Sequence, residues 1–285
     1  MMFVRPPAAA GQFYDLDQER LRKQMDSSFR RADDGAELKG IPKMDKLRGA
    51  VLPHAGYEYS GHVAAKFYAM LNDKKPYNCI IIGPNHYMFG SKFATMKNSL
   101  WKTPLGGVAE DDAMVEALMR GCELLQIDVT PHQNEHSIEV QLPFLQSRFG
   151  EKFKFVPIVI TNELGNPDLL SNCQALGCTI ADAVRKSKEK WLVIASSDFS
   201  HYVPQNVAEE TDGTLIKAIV KLNEKLFFER ANELNASICG FGPIATAMVA
   251  AKKLGADKGK LLKYATSGKV TNEFDSVVGY ASIEF

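Results

Sequence analysis

Three short apolar runs in this chain end in the same way, and that recurrence constrains the fold more than any other feature. AVLPHAG carries His54, IIIGPNH carries His86, and LVIASSDFSH carries Asp198 and His201, each just beyond a continuous stretch of aliphatic residues. Runs this short and this evenly apolar read as strands buried on both faces. With a fourth run ending at Ile160, they predict strands over residues 49–53, 78–83, 153–160 and 191–196. Between and around them, apolar residues recur every three or four positions, which predicts helices over 16–31, 61–71, 109–125, 168–188, 208–222 and 242–254. Residues 33–43 read as a polar loop, and 261–285 as a closing strand pair split by a Gly-containing turn. The alternation predicts an α/β fold, a central mixed, mostly parallel sheet flanked by helices. At 285 residues, with no internal repeat, we expect one domain over 1–285.

In an open α/β sheet, ligands bind where the loops converge at the carboxyl ends of the strands. His54, His86, Asp198 and His201 are therefore expected at one edge. Pro53 precedes His54 and Pro84 stands two residues before His86, so both imidazoles lie on constrained turns. Two neutral imidazoles and one anionic donor make a metal site with open positions. Cys239, in SICGFGPIATAM, is the candidate anion, because a thiolate before a helix N-terminus is stabilised by unpaired N–H groups. The metal ligands read from the chain are thus His54, His86 and Cys239. Asp198 and His201, three apart, would share one side of a helical turn as a catalytic base and its orienter. His136, three residues before Glu139 in NEHSIEVQLPF, is expected at the pocket rim, while His62 and His132 read as structural.

Composition removes several classes of function. Lys and Arg number 34 and so do Asp and Glu, which leaves no net positive field for nucleic acid. No apolar stretch reaches membrane-spanning length, and the five cysteines form no CxxC pair or secreted framework. We expect reduced thiols, no membrane and a cytoplasmic location. There is no GxSxG elbow, GxxxxGK[ST] loop or GxGxxG turn, although Ser196, Ser197, Asp198 and His201 lie close enough in sequence to leave a Ser/His/Asp triad open.

Seven strings in order, RPPAAAGQFY, PHAGYEYSG, GPNH, EHSIEVQLPFL, SSDFSHY, CGFGP and YATSG with SVVGYAS, span nearly the whole chain, and together the sequence resembles the Memo family. That resemblance implies a fold similar to class III extradiol ring-cleaving dioxygenases. His54 and His86 match the histidine ligands of those enzymes, Cys239 stands where they have glutamate, and Asp198 and His201 fall in the region supplying the base. It further implies iron or copper, with zinc possible, and either oxygenase-like activity on an unknown small molecule or a module binding metal or phosphotyrosine peptide. Prokaryotic relatives imply a radical SAM protein partner.

Overall fold

The structure is a computed structural model, and it describes residues 2–33, 47–71, 76–163 and 165–285. The polar loop expected over 33–43 lies, apart from Asp33, outside the described residues. In chain order the strands are β1 (Phe3–Arg5), β2 (Gly49–Leu52), β3 (Asn78–Pro84), β4 (Phe93–Thr95), β5 (Ser99–Thr103), β6 (Gly106–Ala109), β7 (Gln126–Ile127), β8 (Phe155–Ile160), β9 (Trp191–Ser196), β10 (His201–Val203), β11 (Lys260–Thr266) and β12 (Val277–Glu284). The helices are α1 (Gln18–Ala32), α2 (Gly61–Tyr68), α3 (Asp112–Gly121), α4 (Leu142–Phe149), α5 (Leu169–Lys186), α6 (Gln205–Val220), α7 (Glu224–Glu233), α8 (Phe241–Lys253) and α9 (Gly268–Thr271).

The main sheet has the order β10-β12-β2-β9-β3-β8-β4-β7, with β11 on β12. Its four central strands, β2, β9, β3 and β8, are mutually parallel. Both margins turn antiparallel, through β12 on β2 and β4 on β8. Successive strand residues face opposite sides, and the central runs divide accordingly. Val51, Ile80, Ile82, Val193 and Ala195 enter a core shared with α5 and α8, whereas Ala50, Leu52, Ile81, Leu192 and Ile194 enter the one beneath α1, α2 and α4. Coverage on both faces is why these strands carry no polar alternation. This is the α/β architecture expected, a mixed sheet between helices of the class III extradiol dioxygenase-like kind.

The expected tail pair is present, since β11 runs antiparallel to β12. Several elements differ from expectation for local reasons. The helix expected over 109–125 is shorter because Asp111 caps it, accepting from the Met114 N–H at 2.9 Å, while Ala109 belongs to β6. Helix α4 is so deeply buried that its LPFLQSRF sequence lacks a polar stripe, and α7 is announced only by Asn223, whose side chain accepts from Leu226 N–H at 3.0 Å. A separate sheet, β1-β5-β6, is built from short strands, FVR, SLWKT and GGVA, without a continuous apolar run. Among the described residues no helix is long and apolar enough to cross a membrane.

Candidate metal centre

Because β2, β9 and β3 are neighbours and parallel, their carboxyl ends deliver His54, Ser196–Asp198 and His86 side by side. His54 is held through its backbone and its ring. Its backbone N–H donates to Asp198 Oδ1 at 2.8 Å, and its Nδ1 meets Ser196 Oγ at 3.1 Å. The Ser196 hydroxyl donates to the Ser137 carbonyl at 2.6 Å and accepts from Gln141 Nε2 at 2.8 Å. A carbonyl can only accept, so the single Ser196 proton is committed there and His54 Nδ1 is the protonated nitrogen. Gln141 is oriented in turn by the Tyr68 hydroxyl, which donates to its Oε1 at 2.8 Å. The result leaves His54 Nε2 as a bare lone pair. It also saturates Ser196, which is fully buried, and the Ser197 hydroxyl, equally buried, donates to the Asp198 carbonyl at 2.8 Å and accepts the Gly240 N–H at 3.0 Å, so neither serine is left as the nucleophile of that triad.

Glu135 does for His86 what Ser196 does for His54. Its buried carboxylate accepts the His86 backbone N–H and Nδ1–H, each at 2.9 Å, and the Ser137 N–H at 2.9 Å. Burial favours the neutral acid, but the hydrogen bonds from His86 and the charges of His86 and His136 outweigh it and hold Glu135 well below the usual carboxylate range. Burial likewise lowers His86, yet its bond to Glu135 leaves the imidazole raised above 6.5. His86 Nε2 is then the free donor nitrogen, the carboxylate–histidine arrangement typical of metal ligands.

His136 is not at the rim of this group but within it. Its ring stacks on His86 at 4.7 Å and on Phe13 at 4.1 Å, with Nδ1 3.5 Å from Glu135, and His54 stands edge-on to both imidazoles at 5.2 Å. The ligand nitrogens of His54, His86 and His136 all lie within 4.8 Å of one another, so the three can hold a metal ion. Burial and the neighbouring imidazoles push His54 far down and His136 down to about 3, which keeps both neutral and able to ligate at pH 7.

Cys239 comes to the same place from the loop before α8. Its Sγ lies 3.3 Å from His54 Nε2 and accepts the Asp198 N–H at 3.2 Å. That separation is short enough for both atoms to reach one ion, with metal–nitrogen and metal–sulfur bonds of about 2.0 and 2.3 Å. The expectation that the helix terminus makes Cys239 a thiolate is corrected, because burial and then the Asp198 carboxylate push the thiol up. A cation is needed to reverse that balance. Gly240 is required here: a Cβ would lie 2.5 Å from Ser197 Cβ and 2.9 Å from the Ser196 carbonyl oxygen.

Asp198 and His201 do not share a helical turn. Phe199 N–H donates to the Gly279 carbonyl and Gly279 N–H to that of Ser200, each at 2.8 Å, so β12 holds the segment extended. Asp198 is buried against His54, with Oδ2 4.0 Å from Nε2, and burial raises its carboxyl while the charge of His201 opposes the rise. His201 is partly exposed, its Nδ1 donating to the Ser237 carbonyl at 2.7 Å. The two are linked by charge rather than by a hydrogen bond. Of the remaining histidines, His62 lies outside the cluster and His132 packs edge-on to Trp101 with no hydrogen-bond partner for either ring nitrogen among the described residues.

The N-terminal arm was not foreseen as part of the site. Glu139, fully buried, pairs with Arg5 at 2.5 Å and accepts the Tyr14 hydroxyl at 2.5 Å and the N–H groups of Ala8 and Ala9 at 2.8 and 2.9 Å. Tyr57 N–H fixes Phe13 by donating to its carbonyl at 2.7 Å. Those contacts place the Phe13 ring on His136.

Comparisons with known proteins follow this geometry. Residues 5–284 match the family of Memo-like proteins. A MEMO1 family protein of Methanopyrus kandleri is 44% identical over 99% of this chain and 98% of its own length. Others from Methanosarcina barkeri and Sulfolobus acidocaldarius are 44% and 42% identical, over 98% and 99% of the chain and 99% of each relative. Among solved structures, an uncharacterized protein of Escherichia coli K12 shares the fold with a TM-score of 0.53 at 12% identity, covering 84% of this chain and 99% of that one.

Proposed function

Since the chain belongs to the Memo family, matched almost end to end, we propose that it is a metal-binding protein in which His54, His86 and Cys239 hold one iron or copper ion, with His136 as a fourth donor, and that the site works as an oxidoreductase on a small molecule. The observation carrying this reading is the convergence of three imidazole donors within 4.8 Å, two with Nδ1 committed elsewhere, beside a sulfur 3.3 Å from His54 Nε2. A soft sulfur among imidazoles suits copper or iron and also accepts zinc. Bound iron or copper supplies Lewis acidity and one-electron exchange. The protein's own part is protonic: His201, its Nδ1–H held by Ser237, keeps Nε2 for proton exchange with solvent, and Asp198 fixes the His54 backbone. With Cys239 where ring-cleaving dioxygenases carry glutamate, catechol cleavage is not the expected reaction.

A second reading is a metal- or phosphopeptide-binding module without turnover. It draws on Tyr87, Met88 and Phe89, exposed next to His86, and on Tyr202, 78% exposed next to His201, an apolar surround that suits a peptide. The test is elemental analysis of protein purified without metal-affinity resin, then titration with Fe(II) and Cu(I). His54→Ala and His86→Ala should each lose binding, and equal affinity in both would refute the ligand assignment. Metal-dependent oxygen consumption that falls in His201→Ala supports the enzyme, and its absence in a fully loaded protein supports the module.

A further inference from the structure

Away from the histidine cluster, four basic groups from four elements line one open pocket of about 540 Å³: Arg31 near the end of α1, His62 in the first turn of α2, Lys263 on β11 and Lys269 in α9. Leu262 and Val270 give it apolar wall, and no carboxylate of the described residues lines it. Neutral carbonyls orient two of the cations. Arg31 Nη1 donates to the Glu58 carbonyl at 3.0 Å and Lys263 Nζ to the Arg31 carbonyl at 3.2 Å. His62 is 7% exposed, and its Nδ1 has no hydrogen-bond partner among the described residues. Burial first, then the charges of Arg31, Lys263 and Lys269, hold its imidazole down to about 4 against an opposing interaction with the Tyr59 backbone, consistent with the shared lining. In a chain whose formal charges cancel, this is a local concentration of positive potential.

We propose that this pocket is a binding site for a phosphate-bearing small molecule, separate from the metal centre. A carboxylate brings one charge and two acceptor oxygens, whereas a phosphoryl group carries up to two charges and three acceptor oxygens, which better matches the charge of a guanidinium and two ammonium groups lining one pocket. The pocket is larger than a bare phosphate needs and within the usual range for organic ligands, and Leu262 and Val270 offer contact to the organic part. Ala265 of its wall packs in a small apolar cluster with Val63 and Tyr280, and none of His54, His86, His136 or Cys239 lines the pocket, so the two sites do not share a lining.

The test uses the full chain with pyrophosphate, inorganic phosphate and chloride as probes, followed by calorimetry and by the imidazole NMR signals of His62. Pyrophosphate should shift His62 and bind more tightly than phosphate, with chloride far weaker. Arg31→Gln and Lys269→Gln, both at exposed positions, should each weaken pyrophosphate by roughly tenfold or more, the scale of one charge-assisted contact. Unchanged affinity in both variants overturns the proposal, as does pyrophosphate binding that disappears in His54→Ala instead, which would place the anion on the metal centre. Capture by phosphatidic acid vesicles with no response to soluble pyrophosphate would also overturn it, in favour of a membrane headgroup.

Discussion

Replacing Glu135 by Gln tests whether the buried carboxylate supports His86 in the ligand role proposed for it. The side chain keeps its shape, so Oε1 can still accept from His86 Nδ1 and Ser137 N–H, both 2.9 Å away. The new amide nitrogen, however, faces the His86 backbone N–H that Oε2 now accepts at 2.9 Å, setting donor against donor. One buried N–H left without an acceptor costs about 1–3 kcal/mol of stability. Metal affinity should fall as well, because the carboxylate also raises the basicity of His86. Loss of such a partner typically weakens a metal site 10–100-fold, about 1.4–2.7 kcal/mol. Competitive Fe(II) or Cu(I) titration of the folded variant, with denaturant unfolding in parallel, separates the two effects. Affinity within twofold of the parent, in a variant that shows the expected loss of stability, would mean that His86 does not bind the metal or needs no charge behind it.

Further outcomes follow from the same contacts. In metal-free protein the His86–Glu135 pair should matter most in mild acid: Glu135, lowered, contributes above 4.5, and His86, raised, contributes fully below 6.5 and less as pH climbs through its folded value. The stability gap between parent and Glu135→Gln should therefore be wider at pH 5.5 than at pH 8.5, and equal gaps would contradict this. Metal binding near pH 6.5 should release protons from His86, read as a dependence of calorimetric enthalpy on buffer ionisation. Arg5→Met strands the buried Glu139 carboxylate and should cost about 3–5 kcal/mol in chemical unfolding, whereas a loss below 1 kcal/mol would make the arm a passive strap. Gly240→Ala should cost about 1–3 kcal/mol by overpacking Ser197 and weaken metal binding by displacing Cys239, and an unperturbed variant would show that loop to be slack.

The central strands were legible because burial on both faces writes itself into unbroken apolar runs, and the residue after each run is then placed by topology alone. His54, His86 and Asp198 needed nothing more, whereas Cys239 follows no strand and was read from its place before the helix that became α8. Glu135 and His136 were harder, since they arrive from an irregular segment before α4 whose position is fixed by Glu139, Gln141 and the N-terminal arm, all long-range contacts. Local sequence cannot distinguish a glutamate that begins a helix from one that binds Arg5 across 134 positions. The extended path of Asp198 to His201 was missed for the same reason, because its pairing partner, β12, is the last strand of the chain.

That late partner bears on how the site matures. Strand β2, which carries His54, lies between β9 and β12, so it has no sheet neighbour until residues 191–196 exist and no second one until 277–284 follow. Such sequence-distant pairings make for slow assembly. During synthesis His54 and His86 leave the ribosome early, yet the serine that sets the His54 tautomer, the cysteine beside it and the strand that straightens the Asp198 segment all come in the last third of the chain. A metal ion arriving too soon would meet only scattered imidazoles, so the proposed site could be loaded only in the finished protein.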